Sequence, residues 1–170
     1  MSKDNTEAHE RIEESSVPQE EQLQNQPLTL EDKLTNLRQE WTSEIEVLNQ
    51  QLKNLPSLDA LLNVIYTKRQ KAVDVYYGTY NIMSKQNLAY KVKYADWYNK
   101  LKLGANGIRY TNESSISDQC NAQLIDEVAV ITQLKAFCEF MQETIKTLDG
   151  LQYAISSKIK IHEMLNGLKL

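Results

Sequence analysis

The chain reads as an all-α protein: long helices in an oligomeric helical assembly, preceded by a disordered acidic N-terminal tail. Three observations predict this. Breakers are scarce, with 5 Gly and 3 Pro in 170 residues, while Leu, Lys, Glu, Gln and Asn are plentiful, a balance that favours helix over a sheet with many turns. Apolar residues recur in steps of three and four over long stretches, the spacing of one helix face. The clear breaks are few, at Pro56 and at Gly104-Ala-Asn-Gly107, so each helical stretch is long.

Residues 1 to about 28 are rich in Glu, Gln, Asn and Ser, with only scattered Ile12, Val17, Leu23 and Leu28. Too little apolar surface is present to offset the entropy of ordering, and the segment is expected to be a disordered acidic tail. It has no apolar signal-peptide core. A single helical domain is expected over 29–170.

The first helix is predicted over about 29–54. Thr29 is an acceptable N-cap, with Glu31 and Asp32 in the acidic first turn. Its stripe is Leu30, Leu34, Leu37, Trp41, Ile45, Leu48, Leu52 and Leu55, a heptad pattern with one stutter at Trp41 to Ile45. It ends before Pro56. Ser57 can cap a second helix over 57–103, whose early apolar face is Leu58, Leu61, Leu62, Ile65, Val73 and Tyr76. Gly78 is the point where that helix can kink or divide into 57–77 and 79–103. Residues 108–117 read as a loop. The last helix is predicted over 117–166, ending at the C-cap pair Asn166-Gly167. Its seam is Leu124, Val128, Ile131, Leu134, Cys138, Met141, Ile145, Leu148, Gln152, Ile155 and Ile159. A helix of that length is about 70 Å long. One chain of this size cannot easily cover it, so self-association through Leu124, Val128, Ile131, Leu134, Met141, Ile145, Leu148, Ile155 and Ile159 is the economical expectation.

Charge is unevenly spread. Residues 1–50 hold 12 acidic and 4 basic residues, net −8; residues 51–109 hold 10 basic and 3 acidic, net +7; residues 110–170 hold 5 basic and 8 acidic, net −3. The overall −4 therefore does not exclude an anionic ligand. The second helix carries Lys68, Arg69, Lys71, Lys85, Lys91, Lys93, Lys100 and Lys102, interleaved with Tyr66, Tyr76, Tyr77, Tyr80, Tyr90, Tyr94, Trp97 and Tyr98. Cations neutralise phosphates, and exposed aromatic faces stack on unpaired bases for about 1–3 kcal/mol each. That mixture suits single-stranded nucleic acid better than duplex. The competing account is structural: lysines on a helix are usually a solvated face, and aromatics at helical spacing are usually core. Repeated around an oligomer, a weak patch becomes multivalent and binds tightly.

Other chemistry is thinly represented. His9 and His162 lack neighbours at metal-ligand spacing. Cys120 and Cys138 fall on one predicted helix about 27 Å apart, too far for a disulfide, and read as small packed apolar residues. Gly104-Ala-Asn-Gly107 has no Lys-Ser/Thr sequel and is a turn, not a phosphate loop. There is no Ser/His/Asp arrangement and no paired carboxylates in a plausible cleft. No enzyme, metal or cofactor is expected. No stretch approaches the roughly 18–20 apolar residues of a membrane span, and a reducing cytoplasm fits.

Three stretches resemble the UvsY-type recombination mediators of tailed phages. Leu55-Pro-Ser-Leu58-Asp-Ala-Leu61 is similar to that family's Pro-x-Leu-His entry into its first conserved helix. Tyr90-Lys91-Val-Lys93-Tyr-Ala-Asp96-Trp97-Tyr98 looks like its basic helix ending in an aromatic pair. Leu124-Ile-Asp126, with a long helix ending Ala154-Ile155-Ser-Ser-Lys158-Ile159-Lys160-Ile161, is similar to its C-terminal helix. The resemblance spans about residues 55–166 and is one of pattern. It implies a homo-oligomer, in ring form, that binds single-stranded DNA and helps load a strand-exchange recombinase onto DNA covered by a single-strand binding protein. It further implies that Lys91 and Lys93 contact phosphate near Trp97 and Tyr98, and that the C-terminal helix builds the oligomer. The chain departs from the pattern at Ser157, where the family tends to have Arg, and in its acidic tail.

Two rival classes remain. A structural coiled-coil phage protein (assembly chaperone, scaffold or virion component) needs only the heptad stripes and predicts no salt-sensitive DNA binding. A membrane-surface helix is disfavoured by Asp59, Asp74 and Asp96 and by the lack of a wide Leu/Phe stripe.

Overall fold

The computed structural model describes residues 28–53, 58–104 and 112–167. They form four helices, α1 (Leu30–Gln51), α2 (Leu58–Leu103), α3 (Glu113–Gln123) and α4 (Ile125–Gly167), with no strand among the described residues. The all-α expectation holds. The expected disordered tail, apart from exposed Leu28, lies outside the described residues, as do Ser57 and its expected capping role.

Helix α1 starts where its sequence directs. Thr29 Oγ1 accepts from the Asp32 amide at 3.1 Å, and the Asp32 carboxylate accepts from the Thr29 amide at 3.1 Å, a reciprocal capping box that satisfies two otherwise unpaired donors. The Thr29 hydroxyl also donates to that carboxylate at 2.6 Å, and this bond together with the one from the Thr29 amide holds the Asp32 carboxyl below the usual carboxylate range. Leu34, Trp41 and Leu48 are buried. They lie seven residues apart, so the heptad stripe read from sequence is the face that packs.

Helix α2 runs unbroken through Gly78, so it does not divide into two helices there. Glycine in a helix costs about 1 kcal/mol relative to alanine but does not break it. Here Tyr76 and Met83, on either side, both pack against the core. A Cβ at Gly78 would meet nothing within 4 Å, so no close approach calls for glycine. The helix ends at Gly104, whose φ of 74° puts it in the left-handed region; its amide donates to the Leu101 carbonyl at 3.2 Å. Glycine adopts that conformation without the steric cost a side chain would add.

α2 and α4 form a long antiparallel hairpin. Its register is fixed by Gln152 Nε2 donating to Tyr66 Oη at 3.2 Å, Gln142 Nε2 donating to Tyr76 Oη at 2.9 Å, and Lys93 Nζ donating to Glu127 Oε1 at 2.6 Å. α1 lies along the first half of α2 and along α4 from about residue 132 to 158. Lys68 and Lys71 of α2 meet its Glu44 and Glu40, while Lys158 Nζ of α4 donates to the Leu52 carbonyl at 3.1 Å. The three-helix body encloses the main core, centred on Ile65, Ala72, Phe137, Met141, Leu148 and Ile155. Each Ile, Leu, Met or Phe among them contributes about 1.5–3 kcal/mol through burial.

Beyond the start of α1, α3 folds against the last turns of α2. Leu101, Ile116 and Cys120 make a second, small core, with Tyr94, Trp97 and Tyr98 packed on it. Two expectations are corrected here. Residues 113–117, expected as loop, are helical: Asn112 caps α3, its side chain accepting from the Ser114 amide at 3.0 Å. The expected continuous helix over 117–166 is interrupted at Leu124, whose φ of −115° and ψ of 23° turn the chain from α3 into α4. Cys120 and Cys138 therefore sit on different helices; both are buried and free, and burial pushes both thiols up.

The seam expected to join copies of the chain is instead used within it. Leu124, Leu134, Met141, Leu148 and Ile155 are buried by the chain's own helices. Ile131, Ile145 and Ile159 are partly buried, and Val128 is exposed. The sequence argument assumed that one chain could not cover a helix of that length; α1 and α2 cover most of it from one side each.

Candidate nucleic-acid interface

The eight cations and the Trp97–Tyr98 pair expected at the nucleic acid all lie on α2, but packing divides them. In the body, Lys68 is bound to Glu44 and Arg69 to Asp149, and Lys71 Nζ lies 3.8 Å from Glu40. The hydrogen bond and charge of Asp149 raise the Arg69 pKa. Lys71 also lies 5.6 Å from the Trp41 ring centroid. These three cations are taken up in holding α1 and α4 against α2.

Towards the far end, Lys93 is held by Glu127, whose carboxyl falls below its ordinary range chiefly through that hydrogen bond. Lys100 pairs with Asp96 one turn back at 2.7 Å and lies 5.5 Å from the Trp97 centroid. Among the described residues, Lys85, Lys91 and Lys102 have no carboxylate partner within ion-pair distance. Of the eight cations on α2, these three are the ones left for a ligand.

The aromatics divide in the same way. Tyr90 and Tyr94 donate through their hydroxyls to Asn121 at 3.1 Å and Ser117 at 3.0 Å, and Tyr98 reaches Glu113 at 3.4 Å. One hydroxyl per turn of α2 thus ties α3 down. Tyr98 has Tyr94 stacked on one side at 6.4 Å and Lys102 at 5.5 Å from its ring centroid. With its neighbours so placed, Tyr98 has little free face for a base, and Trp97 packs on the small core. The predicted Trp97–Tyr98 platform is a structural element of the α2–α3 contact.

Tyr77 and Tyr80, two of the aromatics interleaved with the cations, are 59% and 45% exposed. Tyr80 stacks on Tyr76 at 6.2 Å, which braces its ring. Tyr80, Ser84, Lys91, Tyr98 and Lys102 follow one another in steps of 4, 7, 7 and 4. These are near-whole turns, so all five share one strip of α2, about 33 Å long. Lys91 stands between two adjoining grooves on it. One, of 490 Å³, is lined by Tyr80, Met83, Ser84, Asn87, Leu88 and Lys91; the other, of 290 Å³, by Tyr90, Lys91, Tyr94 and Asn121.

Spacing places Lys91 and Lys102 on the Tyr80 strip, but Arg69 shares that face and is paired with Asp149, so the division follows the neighbouring carboxylates. No group of three or more His, Cys, Asp or Glu side chains able to hold a metal occurs among the described residues, and no helix there is long and apolar enough to cross a membrane.

The fold and this strip define a class, an all-α helical-hairpin protein with a second small core and a cationic, aromatic strip on one helix. Comparison with protein-family models, curated proteins and solved structures finds no match to the chain.

Proposed function

We propose that the protein is a single-stranded DNA-binding recombination mediator that acts as a homo-oligomer, helping a strand-exchange recombinase load onto DNA covered by a single-strand binding protein. The observation that carries the DNA-binding part is the strip itself. Among the described residues, Lys91 and Lys102 lack acidic partners, and they share it with the exposed ring of Tyr80, with Tyr77 beside them. Cations placed to track a phosphate backbone next to an accessible aromatic face are the elements of single-strand binding. The recombinase, the single-strand binding protein and a setting in a host cell cytoplasm come from the UvsY-type pattern of residues 55–166.

Fluorescence anisotropy of a labelled single-stranded oligonucleotide and its duplex, at low and moderate salt, tests the reading. The expected result is binding that prefers the single strand and weakens with salt, and that falls in Lys91→Ala/Lys102→Ala with the helical content unchanged. Absence of binding at low salt overturns it. The second reading, a structural coiled-coil protein, draws support from the five paired cations and predicts that absence.

A further inference from the structure

Beyond Tyr77, the outward side of α2 is cationic and apolar together. Lys85, Leu88, Val92 and Leu103 follow one another in steps of 3, 4 and 11. These are near-whole turns, so the four share one line of the helix, and Lys91 and Lys102 lie on the neighbouring line. Leu88, Val92 and Leu103 are 65%, 64% and 83% exposed. Among the described residues the three lysines have no carboxylate partner, and the one carboxylate of α2 beyond Tyr77, Asp96, is taken by Lys100. Such a side suits a ligand in which carboxylates are interspersed with aliphatic side chains.

The chain carries such a segment ahead of α1. Residues 1–27 hold seven acidic residues against Lys3 and Arg11, a net charge of −5, with Ile12, Val17 and Leu23 among them. Their point of attachment is close by. Glu44 meets Lys68, and Glu40 lies 3.8 Å from Lys71. Continuing that antiparallel register brings Leu30, the start of α1, level with about residue 82 of α2. Lys85 is then about 5 Å further along the axis, Lys91 about 14 Å and Lys102 about 30 Å. Around the axis, Lys85 stands between the side that α1 occupies, marked by Lys71, and the Lys91–Lys102 line. Extended chain from Leu28 back to Glu21 spans up to about 23 Å, and back to Glu14 up to about 46 Å. The first length reaches Lys85 and Lys91, and the second reaches Lys102.

We propose that residues 1–27 dock on this side of α2 in the same chain, their carboxylates on Lys85, Lys91 and Lys102 and their aliphatic side chains against Leu88, Val92 and Leu103, so that nucleic acid must displace them to reach the lysines. The cations of the body are already held by Glu40, Glu44 and Asp149, which leaves this end of α2 as the place for the acidic segment. Tethering makes the contact intramolecular, at an effective concentration on the order of millimolar. Each exposed ion pair is weak and screened by salt, so the contact gives way to a polyanion. The competition rests on the DNA-binding part of the proposed function; the docking does not.

The test is carbodiimide cross-linking of the full chain at low salt, on a mixture of nitrogen-15-labelled and unlabelled protein, read by mass spectrometry. Carboxylates of residues 1–27 are expected to join Lys85, Lys91 and Lys102 of the same isotope, several times more often than Lys53. Lys53 is exposed and also has no carboxylate partner among the described residues, but it lies past the far end of α1, about 33 Å from Leu30. A single-stranded oligonucleotide is expected to suppress these links. The full chain carrying Glu10→Gln/Glu13→Gln/Glu14→Gln/Glu20→Gln/Glu21→Gln is expected to bind that oligonucleotide about tenfold more tightly at low salt, the scale of three exposed ion pairs, with the gap closing at moderate salt. Links that are absent, as frequent at Lys53, or formed only between isotopes overturn the docking, and an affinity unchanged by the five substitutions overturns the competition. Links in a chain that binds no oligonucleotide keep the docking and remove the DNA reading, whereas binding without the links removes the docking alone.

Discussion

The two ends of α2 carry similar side chains and use them differently. In the three-helix body, its cations meet carboxylates from α1 and α4, and its apolar face is closed over by Phe137, Met141, Leu148 and Ile155. At the α3 end, a core of three buried residues is finished by half-buried aromatics whose hydroxyls do the tying, and three lysines have no carboxylate partner among the described residues. Stability is concentrated where three helices meet, and available charge where two helices and a short third one meet. Composition alone does not separate these ends; the neighbouring helix does.

The most forceful way to break the comparison is at the main core. Phe137 is fully buried, and Phe137→Ala is expected to cost about 3–5 kcal/mol and to unfold the body and the α3 end together in urea, read by circular dichroism. If α3 alone retained hydrogen-exchange protection in that variant, the small core would be independent and the contrast would need redrawing. Next in size is the binding contrast. Lys91→Ala/Lys102→Ala should lower single-strand affinity and reduce the dependence of log K on log salt by about 1.4, two phosphate contacts' worth on a single strand. Lys68→Ala/Lys71→Ala should leave that slope unchanged. Equal effects from the two pairs would mean that the body's ion pairs open to the ligand.

Smaller still is Tyr94→Phe, which removes the hydroxyl bonded to Ser117. A loss of about 0.5–1.5 kcal/mol is expected, seen as faster amide exchange in α3 with the body's protection kept. The smallest effect concerns pH. Glu127 has its folded pKa depressed by Lys93, so its contribution is present above the ordinary glutamate value of 4.5 and is lost as pH falls through the lower folded value. Acid titration of stability should lose this component in Glu127→Gln, and retention of it there would assign the acid sensitivity to another carboxylate such as Asp32.

Much of this architecture was legible in the residues. Thr29, Glu31 and Asp32 announce α1, the heptad stripe Leu34–Trp41–Leu48 is its buried face, and Gly104 closes α2. α3 was missed because its signal is short: Asn112 and Glu113 open it, but only Ile116 and Cys120 carry an apolar face before Leu124 turns the chain. The use of the α4 seam was missed for another reason. Periodicity shows that a face must be covered, but not by what, because the antiparallel register of α2 on α4 depends on contacts far apart in sequence. For the same reason the strip could be seen as basic and aromatic, whereas its division into paired and uncommitted lysines depended on where Glu40, Glu44, Glu127 and Asp149 come to lie.

That register also sets an order of events as the chain folds. Lys93 and Glu127 are 34 residues apart, Tyr76 and Gln142 are 66, and Tyr66 and Gln152 are 86. Closing the largest of these loops before the others costs about 0.8 kcal/mol more than closing the smallest. The hairpin is therefore expected to zip from the Leu124 turn towards the body, with the weaker end forming first and the stronger end completing last. Substitutions beside the turn should slow refolding, and those near Ile65 and Ile155 should chiefly speed unfolding.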